Sequence, residues 1–189
     1  MPYRKGTLRA GQYYHLYNRG NNRQPIFLER ENCLYFLRQL RKYLVPAIID
    51  VIAYCLMPNH YHFLVYLRTD NLSRPMQRFS LSYTKALNKR YERVGSLFQG
   101  RFKAVAVDSD EYVLHLSRYI HLNPVLAGLV ARPEDWEFSS YHEYIGVRQG
   151  TLPSPGVVLS QFSSPSDYRQ FILSYATGDD RVISDLTLE

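Results

Sequence analysis

Two cysteines and one tryptophan are all that the 189 residues hold of those types, and no apolar run nears the roughly 18 residues of a membrane-spanning helix. Cys33 and Cys55 lie inside apolar segments, too few for a disulfide framework or a cysteine zinc site, so they read as reduced core thiols. The opening stretch MPYRKGTLRAGQYY lacks the apolar core of a signal peptide, so the expectation is a soluble, cytoplasmic protein with no membrane partner. Acidic residues are scarce in one half. Residues 1–103 carry 5 Asp/Glu against 18 Lys/Arg, a net +13, whereas residues 104–189 carry 12 against 5, a net −7. Such asymmetry suits a first half that faces a polyanion, and 17 tyrosines with 9 phenylalanines supply rings on which unpaired bases stack. With 46% hydrophobic and 21% charged residues the composition excludes disorder and coiled coil, and the length fits one generous domain.

Strand and helix signals alternate along the chain. GQYYHLYN (11–18) reads as a strand closed by the turn-rich NRGNNRQP, and Glu31–Val45 reads as a helix on the spacing of Cys33, Phe36, Leu37, Leu40 and Leu44, ended with the help of Pro46. Ile48–Met57 and His60–Leu67 read as an antiparallel hairpin broken at Pro58 and Asn59. Asn71–Arg93 reads as a two-faced helix. At about 100° per residue, Arg74, Arg78, Lys85, Lys89 and Arg93 share one sector, opposite Met76, Phe79, Tyr83, Ala86 and Leu87. Charges of one sign favour phosphate over plain solvent. Residues 97–107, with Arg101 and Lys103, read as a further strand; Asp108 or Ser109 then caps a helix expected to stop near Asn123, before Pro124. Residues 1–147 are expected to form the working domain, and 148–189 a Gly/Ser/Pro-rich linker (149–166) and tail with a short helix over Ser166–Tyr175.

The chemistry centres on His60, Tyr61 and His62. Residues two apart on a strand share a face, so both imidazoles can converge on one ion or phosphate while Tyr61 points away. Taken alone, an H-x-H strand is equally well explained by ordinary core or surface histidines. On the helix over 109–123, Tyr119 and Asn123 stand one turn apart on one face. Tyr112 shares that face seven residues before Tyr119, too far from Asn123 to share a metal with it, Ser117 has no evident base, and His115 and His121 read as helical surface residues.

MPNHYHFLV, followed by GRFKA and SRYIHLNPV, resembles the single-tyrosine HUH transposases of the insertion-sequence type, most of all the REP-associated tyrosine transposases, over about residues 10–146. The resemblance implies an α+β fold, a central antiparallel sheet with helices packed on it, related to RNA-recognition and ferredoxin-like modules. It implies cleavage and rejoining of single-stranded DNA near hairpins through a 5′-phosphotyrosine, with Mg²⁺ or Mn²⁺ as cofactor. By motif, Tyr119 would be the nucleophile, and His60, His62 and Asn123 would hold the metal; the family often has glutamine at the last place. Relatives act as monomers or homodimers, so either state is open.

Physical chemistry agrees with those roles. A phosphodiester repels a phenolate, so attack needs a cation on the non-bridging oxygens, and a phosphotyrosine ester keeps the bond energy that rejoining requires. The ordinary phenol pKa of about 10 calls for nearby positive charge, for which Arg101, Lys103 and Arg118 are candidates. Two other functions stand beside this one: a non-catalytic hairpin-binding protein derived from a transposase, and a metal-dependent hydrolase that uses water.

Overall fold

The computed structural model describes residues 7–174. The aromatic, alternating YYHLYNR forms strand β1 (Tyr13–Arg19), and the expected first helix is α1 (Arg30–Tyr43), opened by a reciprocal capping box between Glu29 and Asn32. The hairpin is β2 (Ile49–Met57) and β3 (His60–Leu67), after which come α2 (Ser73–Arg90) and β4 (Lys103–Val107). The sheet runs β2-β3-β1-β4 with every neighbour antiparallel. This is the βαββαβ arrangement of ferredoxin-like modules, whose crossovers place α1 and α2 on one face.

Period-two alternation on β3 divides the interior. Tyr61, Phe63, Val65 and Leu67 join the core under α1 and α2, where Phe36 is fully buried among the rings of Phe79 (4.7 Å), Tyr83 (4.8 Å), Phe27 (5.0 Å) and Tyr61 (5.1 Å). Tyr61 therefore points away from the histidines that flank it, as the strand period requires. The opposite face packs against α3 (Asp110–Leu126), whose Val113, Leu116 and Ile120 meet Ile52, Ala53, Cys55, Met57 and Leu64. Cys33 and Cys55 are buried free thiols, one in each core, and burial holds both well above the usual thiol range.

Three boundaries differ from the sequence reading. Residues 97–102 are not strand: Leu97, Phe98 and Phe102 all enter the α1/α2 core, which strand alternation forbids, and only Phe98 bridges to Gly20. Helix α2 ends at Arg90, and the chain turns through Glu92 and Gly95, both at positive φ. Helix α3 passes through Pro124. It stops at Gly128 (φ 68°), where Gly128 N–H donates to Val125 O and Leu129 N–H to Pro124 O, so the glycine and not the proline ends the helix.

The segment read as linker and tail is packed. Ser154 N–H donates to Val51 O, and just before that segment Leu56 N–H donates to Phe138 O and Ser140 N–H to Tyr54 O, so the chain covers the outer edge of β2. Short helices α4 (Tyr141–Tyr144) and α5 (Gly156–Leu159), then α6 (Pro165–Leu173), bring Tyr141, Tyr144, Val158, Tyr168 and Ile172 into the α3 core. Residues 175–189 of the expected tail lie outside the described residues.

Candidate active site

The two histidines project from β3 toward α3. Their rings meet edge to face, centroids 4.9 Å apart at 87°, and Tyr119 of α3 stands edge-on to His62 at 5.6 Å and 84°. His60 Nε2 lies 3.2 Å from Asn123 Oδ1. The structure thus brings His60, His62, Tyr119 and Asn123 into one cluster between sheet and helix, with Tyr119 91% shielded from solvent.

The turn before β3 orients His60. Asn59 donates its amide nitrogen to Arg23 O (3.1 Å), which leaves Asn59 Oδ1 facing His60 Nδ1 at 2.6 Å. With Nδ1–H donating there, Nε2 presents a lone pair to Asn123. The Asn123 amide can turn its N–H to that lone pair as a hydrogen bond, or its oxygen beside it as a second metal donor. His62 Nδ1 lies 2.8 Å from His15 Nε2, while His62 Nε2 is buried with no hydrogen-bond partner among the described residues.

Burial lowers the pKa of both site histidines. For His60, burial outweighs the opposing bond to Asn123 and is reinforced by Arg19; for His62, burial is reinforced by His15 and His60. Both are neutral near pH 7, the form that ligates metal. An orphaned imidazole nitrogen, a second imidazole and an amide oxygen fit a divalent cation, and nitrogen donors suit Mn²⁺ better than the harder Mg²⁺. Among the described residues no group of three or more His, Cys, Asp or Glu is arranged for a metal, so a cation held by the two histidines would need Asn123 as its third protein donor.

Sequence reasoning missed three neighbours on β1. Tyr17 pairs with His62 on one side and Lys103 on the other, and Arg19 pairs with His60, so antiparallel register places all of them on the histidine face. His15, the diagonal neighbour, is fully buried. The alternation Tyr13, His15, Tyr17, Arg19 was the available signal, but only strand order shows that it lies beside the histidine pair.

Other expected residues are placed as follows. Arg101 and Lys103 are exposed by the β4 edge. Arg74, Arg78, Lys85 and Lys89 are exposed on α2, and Arg93, past the helix end, reaches Gln24 at 3.3 Å. Because α2 covers the other face of the sheet, these cations are separated from the histidines by the sheet itself. Arg118 packs over the Phe171 ring of α6 at 4.5 Å and bonds His115 Nδ1 at 2.9 Å, so it is engaged with α6 rather than presented to a substrate. His121, expected at the surface, is instead fully buried: its Nδ1 meets Tyr168 Oη and its Nε2 meets Ser140 Oγ, each at 2.7 Å. With Ser117 Oγ 3.2 Å from the same Tyr168 oxygen, this satisfied network ties α3 to α6 on the side away from Tyr119.

The family model described as "Transposase IS200 like" matches residues 9–123, a span that runs from β1 to Asn123 and takes in the whole cluster. The chain belongs to the IS200-like transposase family. Among its relatives, the REP-associated tyrosine transposase of Escherichia coli (strain K12) is 24% identical over 153 residues, 80% of this chain and 87% of that protein. A Haemophilus influenzae (strain Rd) protein named "Putative REP-associated tyrosine transposase" is 28% identical over 104 residues, 49% of this chain. The match spans only 59% of the Haemophilus protein's length. A solved REP-associated tyrosine transposase bound to a REP hairpin shares the fold, with a TM-score of 0.64 at 20% identity over 82% of this chain and 97% of the other. Among the described residues no helix is long and apolar enough to cross a membrane.

Proposed function

We propose that the protein cleaves and rejoins single-stranded DNA next to a hairpin, with Tyr119 as nucleophile and His60, His62 and Asn123 as holders of Mg²⁺ or Mn²⁺. The observation that carries the reading is the convergence of these four side chains from β3 and α3. A cation bound there supplies charge to the non-bridging oxygens of a phosphodiester. His60 and His62, neutral and held by Asn59 and His15, keep that position fixed. The Tyr119 hydroxyl loses its proton and its oxygen forms a bond to phosphorus as the bond to the 3′ oxygen breaks; that oxygen takes up a proton and leaves as a 3′-hydroxyl. The 5′-phosphotyrosine retains the energy of the bond, so attack by a 3′-hydroxyl reverses the step without ATP.

The groups that act on the charge of His60 and His62 are Asn123, Arg19, His15 and each other, with no carboxylate among them. A hydrolase that relies on a carboxylate to activate water has none acting there, which leaves metal-bound water as its remaining nucleophile. The direct test is incubation of the protein with Mg²⁺ and end-labelled hairpin DNA bearing a single-stranded flank. A covalent protein–DNA adduct is expected; cutting without adduct would favour the hydrolase, and binding without cutting the non-catalytic reading.

DNA that reaches both α2 and the cluster has to pass an edge of the sheet. The β2 edge is covered by residues 136–154, whereas the β4 edge carries exposed Arg101 and Lys103. We therefore assign Arg74, Arg78, Lys85, Lys89, Arg93, Arg101 and Lys103 to phosphate contacts along one path. Each contacted phosphate adds about −0.7 to the log–log salt slope for single strands, so replacing Lys85 and Lys89 with alanine should flatten it by about 1.4. Fluorescence anisotropy across a salt series measures this. An unchanged slope and affinity would remove α2 from the path.

A further inference from the structure

His62 is held from one side by a residue outside the family motif. The His15 and His62 rings lie nearly parallel, 16° between planes with centroids 5.0 Å apart, and His15 Nε2 lies 2.8 Å from His62 Nδ1, an edge-to-edge contact. The outer nitrogens, His15 Nδ1 and His62 Nε2, are both buried with no hydrogen-bond partner among the described residues. Two ring nitrogens at that separation share a single proton. If His15 donates it, the proton of His62 sits on Nε2 and that atom can bind no cation. If His62 donates it, Nε2 keeps a free lone pair.

The neighbouring histidine shows which direction the site is built for. Asn59, anchored to Arg23 O, turns an oxygen to His60 Nδ1 and so frees His60 Nε2. We propose that His15 does the same for His62: it is a positioning residue that accepts the Nδ1 proton of His62 and aims the Nε2 lone pair at a divalent cation. The inference rests on the reading of His60 and His62 as a cation site. Outer acceptors of metal-bound histidines are commonly carboxylates, carbonyls or water, and they hold ring and tautomer in place. Here both acceptors are uncharged, an amide and an imidazole, as are the proposed ligands, two imidazoles and an amide. Such a shell leaves the cation's double positive charge unneutralised for an anionic phosphodiester. Tyr17 lies against His15, ring centroids 4.7 Å apart, which restricts the ring that must accept the proton.

The experiment measures Mn²⁺ binding by calorimetry on the full chain, with thermal unfolding of each variant recorded alongside. Wild type should bind and His62→Ala should not. His15→Leu should weaken Mn²⁺ about 10- to 100-fold, the usual cost of losing an outer-shell partner, while His15→Gln, whose amide oxygen stands where Nε2 stood, should recover most of it. Histidine ¹⁵N spectra of wild type with Mg²⁺ should show His62 protonated at Nδ1 and unprotonated at Nε2, a readout that needs no variant to fold. Mn²⁺ binding that depends on His62 but is unchanged in His15→Leu would overturn the role of His15 and leave the cation site standing. So would an Mg²⁺-bound spectrum in which His15 is the donor. Binding indifferent to His62→Ala would overturn the cation site and this inference with it.

Discussion

Tyr119→Phe is expected to reduce cleavage to background and to abolish the covalent adduct, while hairpin affinity survives. The substitution removes one oxygen and keeps the ring that stands edge-on to His62 at 5.6 Å and packs in the α3 core. Stability should therefore change by no more than about 1 kcal/mol, the usual worth of one hydrogen bond. The histidines face the proposed cation and Tyr61 lies in the opposite core, so among the described residues the one other phenol placed against His62 is Tyr17, and Tyr17→Phe, which should still form the adduct, is the control. Tyr112→Phe should keep most of the activity, because Tyr112 sits about three turns up α3 from Asn123. Mass spectrometry of the digested adduct reads the modified residue directly. DNA found on Tyr112, or cutting by Tyr119→Phe, would end the assignment.

Loss of either histidine is expected to cost cleavage as severely, by about three orders of magnitude or more, since a metal contributes several kcal/mol of charge stabilisation to the transition state. The two variants should differ in stability. His60 is partly exposed, and His60→Ala removes contacts with Asn59 and Asn123 that water can replace. His62 is fully buried against His15, so His62→Ala opens a cavity and strands a second imidazole, at a cost of about 2–4 kcal/mol. Thermal unfolding beside a cleavage assay separates these effects. The decisive comparison is His60→Ala, which should be folded, bind hairpin DNA and fail to cut; cutting at the parental rate with metal present would remove the site.

Much of the fold was legible because two periodicities did not conflict. On β3 the period of two assigned Tyr61 and Phe63 to one face and His60 and His62 to the other, and on α2 the period of 3.6 separated Met76, Phe79, Tyr83 and Leu87 from the cations. Failures came where local signals competed with packing. Pro124 reads as a stop, yet burial of Asn123 and Pro124 under the sheet and the closing turn at Gly128 carry the helix beyond it. His121 reads as surface because nothing local shows that Tyr168, 47 residues later, and Ser140 return to satisfy both its nitrogens.

By itself the sequence determined the types of the main strands and helices, the shared face of His60 and His62, the one-turn spacing of Tyr119 and Asn123, and the charge divided between halves. These are all relations within a single element or along the chain, set by backbone geometry that every helix or strand obeys. Only the tertiary structure decided that α3 lies over the histidine face, that the cations of α2 lie beyond the sheet from it, and that His15 and Asn59 hold the two imidazoles. Those facts depend on strand order and on which helix covers which face, and both follow from burying two apolar faces at once rather than from any local pattern.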